Sequence, residues 1–409
     1  MVEVLPFRGI LYNQEKISDL RKVVTPPYDV ISKEEQEMYL KRSEYNIIRI
    51  ILSKDNGDRY KRAATVFHDW LKKEVLIEDN QEAIYVYEQE YFYKHKRKRR
   101  GFIAKVKLED YESRKIIPHE KTLSKPKEDR LNLLRETRAN LSPIFSLYED
   151  KDNRIGKILE SEEEPIIDIK TWDGIIQRLY AIKDMSKIND IRHEMLDKPI
   201  FIADGHHRYE VSLNFRNEMK GTSDFRDSYN YVMMYLTPMD QESLTILPAH
   251  RLIKNIVDVD MERIAYLFEI EESDKEKMFK EMIERGKLHH VFGMYTKGRC
   301  YLLTLRSEGL LDKIIENKPK EWKSLDVVIL HSILINHIYG VRSEDDIKYV
   351  ISEEKTIELV DRGEYQVAFF VNPTKIEQIK EVTSLGLTMP GKATYFYPKL
   401  LTGLVLRKL

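Results

Sequence analysis

The chain has 409 residues, 42% of them apolar and 33% charged, with a formal net charge of −1 at neutral pH. Such a length exceeds what one hydrophobic core usually organises, and the near-zero charge excludes a surface given over to nucleic acid, leaving only local basic patches for a polyanion. No apolar run reaches the roughly 18 residues of a membrane span, the N-terminus lacks the order of a secretory signal, and a single cysteine, Cys300, excludes a disulfide framework or a CxxC metal or redox site, so a cytoplasmic protein is expected.

In chain order, a short strand near Val4 leads to Thr25-Pro26-Pro27-Tyr28-Asp29-Val30, where the two prolines set an extended backbone that presents Tyr28 and Asp29 at a defined angle. Helices follow around 33–41 and 59–73. Residues 83–87 and 101–106 alternate and predict a hairpin with the run Lys94-His95-Lys96-Arg97-Lys98-Arg99-Arg100 at its tip. Such a tip either touches RNA or another polyanion or is a solvated tip that discourages edge pairing; the second reading is preferred, and nucleic acid is not the expected partner. After Pro118-His119-Glu120-Lys121-Thr122 come a polar helix over about 127–140, a strand over 144–148 and further helices.

The richest stretch is Phe201-Ile202-Ala203-Asp204-Gly205-His206-His207-Arg208-Tyr209-Glu210. The apolar run 199–203 predicts a strand and the residues from Tyr209 onward an amphipathic helix, which puts Gly205 in the turn between them. A helix starting near His206 would aim unpaired N–H groups and the positive end of its dipole at the loop. Arg208 adds a forked cationic donor for a phosphate or carboxylate, and Asp204 could accept a proton or hold a divalent cation. The plainer alternative makes Asp204 an N-cap and the histidines surface residues. Adjacent histidines on a helix diverge by about 100° and seldom share one ion, so one reactive and one structural histidine is expected.

Beyond it, residues 256–305 predict helix, strand, helix and a hairpin around Lys297-Gly298-Arg299, a small α+β unit inserted into or appended to the core. A helix over 325–338, a strand over 366–371 and the tail 394–400 complete the pattern. The expected organisation is an α/β or α+β mixed-sheet core with the DGHHR turn over 1–250, the small α+β unit over 251–320, and a segment over 321–409 that completes the core. HExxH, GxSxG and GxGxxG motifs are absent. Gly386-Leu387-Thr388-Met389-Pro390-Gly391-Lys392-Ala393 approaches a P-loop, but Ala393 stands where magnesium needs a hydroxyl, and the flanking pattern lacks the strand-then-helix context. Lys392 could still contact a phosphate from another scaffold.

Taken together, residues 25–30, His119-Glu120-Lys121-Thr122, the ADGHHRY loop at 203–209, Leu247-Pro248-Ala249-His250-Arg251, and the tail from Met389-Pro390 through Tyr395-Phe396-Tyr397-Pro398-Lys399 resemble a widespread prokaryotic family known as domain-of-unknown-function family 1015. The likeness runs over nearly the whole chain. Family members usually carry a second Pro and a Lys-Ser-Thr run where this chain has Gly391-Lys392-Ala393-Thr394, which puts a hydroxyl role at Ala393 in doubt. Over about ten residues the DGHHR loop is also similar to the loop of free-serine kinases and to the phosphate-binding turn of ParB and sulfiredoxin-like proteins; that likeness implies a nucleotide-binding turn.

The expectation is therefore a cytoplasmic small-molecule kinase or phosphatase that transfers phosphoryl groups to or from a small hydroxylated metabolite, serine or phosphoserine first among them. Asp204, His206, His207, Glu120 and Asp29 are the catalytic candidates, with Asp204 also the candidate magnesium ligand. Gly205, Arg208, Arg251 and Lys392 would hold phosphate, and Tyr28, His119 and His250 would line the cleft. ATP, ADP or pyrophosphate would be the donor. The alternatives are a nucleotide-binding regulator without turnover and an RNA-associated protein using the basic hairpin.

Overall fold

The computed structural model describes residues 1–53, 58–122, 124–160, 164–239, 243–256 and 259–409. The chain forms two compact units, one made of 1–118, 122–245 and 398–409, the other of 119–121 and 246–397. Both contain mixed helix and sheet, so the α/β or α+β class holds. Among the described residues no helix is long and apolar enough to cross a membrane.

The first unit is built on a mixed nine-stranded sheet. Its strands are β1 (Val4–Leu5), β2 (Ile84–Tyr93), β3 (His95–Lys107), β4 (Ile116–Ile117), β5 (Ile144–Tyr148), β6 (Ile167–Lys170), β7 (Ile176–Ile182), β8 (Ile200–Asp204) and β9 (Tyr231–Pro238). Their order is β4-β8-β5-β9-β3-β2-β7-β6, with β1 pairing β3. β8 runs parallel to β4 and antiparallel to β5, while β9 runs parallel to β5 and antiparallel to β3. Around the sheet lie α1 (Lys33–Arg42), α2 (Arg59–Lys72), α3 (Ser124–Thr137), α4 (Met185–Met195) and α5 (His206–Met219). α1 opens with a capping box between Ser32 and Glu35, and α2 is capped by Asp58. Ile84, Val86, Phe102, Ala104, Ile144, Ile200, Ile202 and Met234 from the central strands share one core with Ile188, Ile191 and Met195 of α4 and Tyr209 of α5. At about 25 cal/mol per Å² of apolar area, such side chains contribute roughly 1.5–3 kcal/mol each before the entropy of ordering is charged.

Two expectations change here. The basic run is not a loop at a hairpin tip: β2 and β3 pair out to Tyr93↔His95, and the connection is Lys94 alone in the left-handed region (φ 62°). Alternation persists through the cations because cross-strand carboxylates partner them, so a charged sequence still makes strand. Helix α5, for its part, does not present a single apolar stripe. Tyr209 packs into the main core, whereas Val211 and Phe215 join a separate cluster with Leu134, Tyr229 and Leu409.

The second unit holds a six-stranded antiparallel sheet of β10 (His250–Ile253), β11 (Phe268–Ser273), β12 (Val291–Thr296), β13 (Arg299–Leu305), β14 (Ile347–Val350) and β15 (Val367–Phe370), ordered β11-β13-β12-β15-β10-β14. The helix–strand–helix–hairpin expected over 256–305 is present as Met261–Leu267, β11, α6 (Lys275–Arg285), β12 and β13. The expected division at 250 and 320 does not match the units. β10 is hydrogen-bonded on both sides to strands from beyond residue 346, so 251–320 and 321–397 share one sheet and one core of Leu252, Met278, Val291, Leu302, Ala368 and Phe370. Of the segment 321–409, only 398–409 belongs to the first unit.

Candidate functional site

In the first unit the turn between β8 and α5 follows the expected strand–Gly–helix order. A register shift between Ile202 and Asp204 opposite β5 marks a bulge at the strand's end, a device that re-aims the residue after it. Gly205 then turns the chain with φ 97° and ψ 26° as the N-cap of the helix that starts at His206, and glycine brings no side chain to that position. Asp204 is therefore not the N-cap. A Cβ at position 205 would stand 2.8 Å from Arg208 Nη2 in addition to the backbone strain, so both the turn and the approach of the guanidinium need glycine.

Asp204 has two cationic partners. Arg208 Nη2 donates to Oδ2 at 2.7 Å, and Lys399 Nζ contacts Oδ1. The three side chains are only 11–16% exposed. Burial works against ionisation of Asp204, but Lys399 and Arg208, with His206 nearby, outweigh it and hold the carboxyl well below the usual carboxylate range. Arg208 is further fixed by Nη1, which donates to Ser142 Oγ at 2.9 Å and to the Pro143 carbonyl at 2.6 Å. Tyr209 anchors the helix's first turn, its hydroxyl donating to the Glu109 carbonyl (2.7 Å) and accepting from the Glu109 N–H (2.9 Å). His206 is buried and His207 half-buried.

Lys399 is the residue that sequence reasoning did not place in the site, although it closes a quoted motif. Its position is set by buried polar side chains of β2 and β3: Gln89 Nε2 donates to the Lys399 carbonyl (3.0 Å), Arg99 to the Pro398 carbonyl, and the Tyr87 hydroxyl accepts from Leu401 N–H (3.3 Å). Sequence alone carries no signal for a pair separated by 195 positions.

Beside Arg208 lies a cavity of about 70 Å³ walled by Leu133, Leu141, Ile144, Val211 and Val232, with Tyr28 and Arg130 also lining it. The Arg130 guanidinium stacks on the Tyr28 ring at 4.1 Å. Burial, with neighbouring Asp29, pushes the Tyr28 hydroxyl up to about 12. Asp29 itself is exposed.

The remaining candidates belong to the second unit. His119 is buried, its Nε2 2.8 Å from Thr394 Oγ1, and its carbonyl accepts from Met389 N–H at 2.7 Å. Glu120 Oε1 accepts from Ala393 N–H at 3.1 Å. Arg251, 1% exposed, donates to the Ala249 carbonyl and, at 3.3 Å, to the carbonyl of Lys392, and faces the Tyr349 ring. His250 is 2% exposed, and among the described residues Nε2 has no hydrogen-bond partner; burial, with Arg251 adjacent, lowers it to about 3, so it is neutral. Lys392 has an exposed side chain and φ 59°. Residues 386–393 are not a P-loop: Ile376–Ser384 is helical and Tyr395–Tyr397 extended, the reverse of the required order.

The donor set does not fit a resident magnesium ion at Asp204, because both carboxylate oxygens already face cations. Among the described residues no group of three or more His, Cys, Asp or Glu side chains is arranged to hold a metal.

Fold and turn together define a two-unit mixed α/β protein in which a glycine turn between strand and helix carries two cations on one carboxylate. The chain belongs to the family described as protein of unknown function (DUF1015), which it matches over residues 4–328. No curated protein matches the sequence. Among solved structures it is similar to a free serine kinase in complex with AMP (13% identity, 69% of this chain and 83% of the other, TM-score 0.34). It is also similar to a conserved hypothetical protein from Pyrococcus furiosus (12%, 70% and 89%, TM-score 0.34) and to SbnI with a C-terminal truncation from Staphylococcus aureus (13%, 73% and 85%, TM-score 0.38). All three likenesses are distant.

Proposed function

We propose that the 204–208 turn with Lys399 binds a phosphate group and that the protein transfers phosphoryl groups to a small hydroxylated metabolite, serine being the first acceptor to test. The observation that carries this reading is the start of α5 at a left-handed glycine N-cap, flanked by Arg208 and Lys399, which share the single negative charge of Asp204. Backbone N–H groups at such a start, together with cations held in place, suit the oxygens of a phosphoryl group and stabilise charge moving through them. The donor P–O bond breaks, a P–O bond forms to the acceptor oxygen, and the hydroxyl proton passes to a base. Asp204 is too weakly basic for that task and serves to position Arg208 and Lys399. His207, half-buried on the helix's first turn, is the first base to test, with Asp29 as the carboxylate alternative. Magnesium enters this reading as the counter-ion that ATP, ADP or pyrophosphate brings.

Phosphorus-31 NMR with magnesium, each donor in turn and a mixture of serine and other small hydroxy compounds tests it. A new phosphomonoester signal, lost in folded Lys399→Met and Arg208→Ala variants, is expected. Broadened nucleotide signals without product would replace the enzyme by a nucleotide-binding regulator. Unchanged spectra would overturn phosphate binding at the turn.

A further inference from the structure

A second surface of the first unit, independent of that turn, lies on the outer part of the β2–β3 hairpin. Lys94, His95, Lys96 and Lys98 are exposed there, with Arg97 and Arg100 half-buried. His95, Lys96, Arg97, Lys98, Arg100 and Asn153 line a concavity of about 590 Å³ beside β3. Glu90 meets Lys96 at 2.7 Å, and the 1%-exposed Glu88 meets Lys98 at 3.2 Å and Arg100 at 2.7 Å, so these carboxylates hold the cationic stems upright. With Glu160, which lines the same concavity, they are three negative charges against five surface cations, Lys94, Lys96, Arg97, Lys98 and Arg100, and the patch stays positive in a chain whose net charge is −1.

Aromatic rings interleave with the charge. Phe92 is 75% exposed and pairs across the strands with Lys96. Tyr93 carries Arg97 and Lys94 near its ring, at 5.6 and 5.8 Å from the centroid. Lysines alone suffice to keep a strand edge from pairing with another chain. They do not account for a large apolar ring left in water, whose exposure forgoes burial free energy.

We propose that this hairpin surface binds single-stranded nucleic acid, the cations following the phosphates and Phe92, on the face of Lys96 and Lys98, stacking on a base. Flat apolar faces beside a cationic track are what a splayed strand requires, and stacking tolerates any base. Double-stranded nucleic acid hides its base faces and would gain only the phosphate contacts.

Fluorescence anisotropy of the full chain with a labelled 12-nucleotide single strand, its duplex and inorganic polyphosphate tests the proposal. The single strand should bind more tightly than the duplex, with log K falling against log salt by about 0.7 for each phosphate contacted. Phe92→Ala should weaken single-strand binding about tenfold, and the exposed-site pair Lys94→Asn/Lys96→Gln should flatten the salt dependence. Circular dichroism and donor binding at the 204–208 turn should not change in either variant. Absence of single-strand binding at low salt would overturn the proposal. Equal affinity for polyphosphate with no loss in Phe92→Ala would also overturn it, leaving plain ion exchange.

Discussion

The 204–208 turn of the first unit and the 250–251 pair of the second both set histidine beside arginine, and the structure uses the arginines differently. Arg208 reaches a carboxylate that a lysine also contacts, at the start of a helix with a glycine N-cap. Arg251 lies within a sheet, with carbonyls of Ala249 and Lys392 accepting from it. A cation shared with another cation on one carboxylate keeps charge available to an incoming anion, whereas a cation laid against carbonyl dipoles serves the local fold. A charged motif therefore announces chemistry only once its partners are known.

The largest expected break in the comparison is Asp204→Asn. Leaving two buried cations without their carboxylate should destabilise the first unit by about 3–5 kcal/mol in urea melts at neutral pH. Because the folded Asp204 has a lowered affinity for protons, its contribution is present above the unfolded carboxylate range and is lost as pH falls through the depressed folded value. Wild-type protein should lose stability in strong acid along a limb that the asparagine variant lacks.

His250 should give the next largest effect, with no involvement of phosphate. Its folded value near 3 lies below that of an unfolded histidine, so the unfolded chain binds the proton first and stability falls as pH drops from about 6.5 toward 3. Between pH 7 and 5 the loss attributable to this residue is roughly 2 kcal/mol, and His250→Leu should flatten that part of the profile. Should the variant keep the wild-type slope, the burial argument for His250 fails.

Gly205→Ala should cost about 1–2 kcal/mol from the left-handed backbone alone. Its Cβ should also displace the Arg208 guanidinium and weaken donor binding at least tenfold, measured by calorimetry on the folded variant. Smallest of all is Lys392→Ala, an exposed side chain outside the turn: stability should move by less than about 0.5 kcal/mol and donor affinity by less than about twofold. A large loss of affinity there would overturn the assignment of the phosphate site to the turn.

Much of the local structure was legible in the residues. Strand, Gly205 and helix around 200–219 read correctly because the apolar period changes at the glycine between them, and the described part of 256–305 forms the expected helix, strand, helix and hairpin. The basic run misled, since charge suggested a loop while the pairing carboxylates sit on the other strand. The unit boundaries misled as well, because β10 finds its neighbours a hundred residues later.

By itself, then, the sequence determined where the chain turns, which faces are apolar, which family the motifs join, and that Asp204, Gly205 and Arg208 stand at one strand-to-helix junction. Those features depend on neighbours within a few residues, where backbone geometry and side-chain period act directly. Only the tertiary structure decided that Lys399 meets Asp204, that Arg251 is absorbed by carbonyls, and that 119–121 belong with 246–397. Those outcomes depend on sheet pairing and buried hydrogen bonds between distant segments, whose cost in chain entropy and gain in contact no local pattern records.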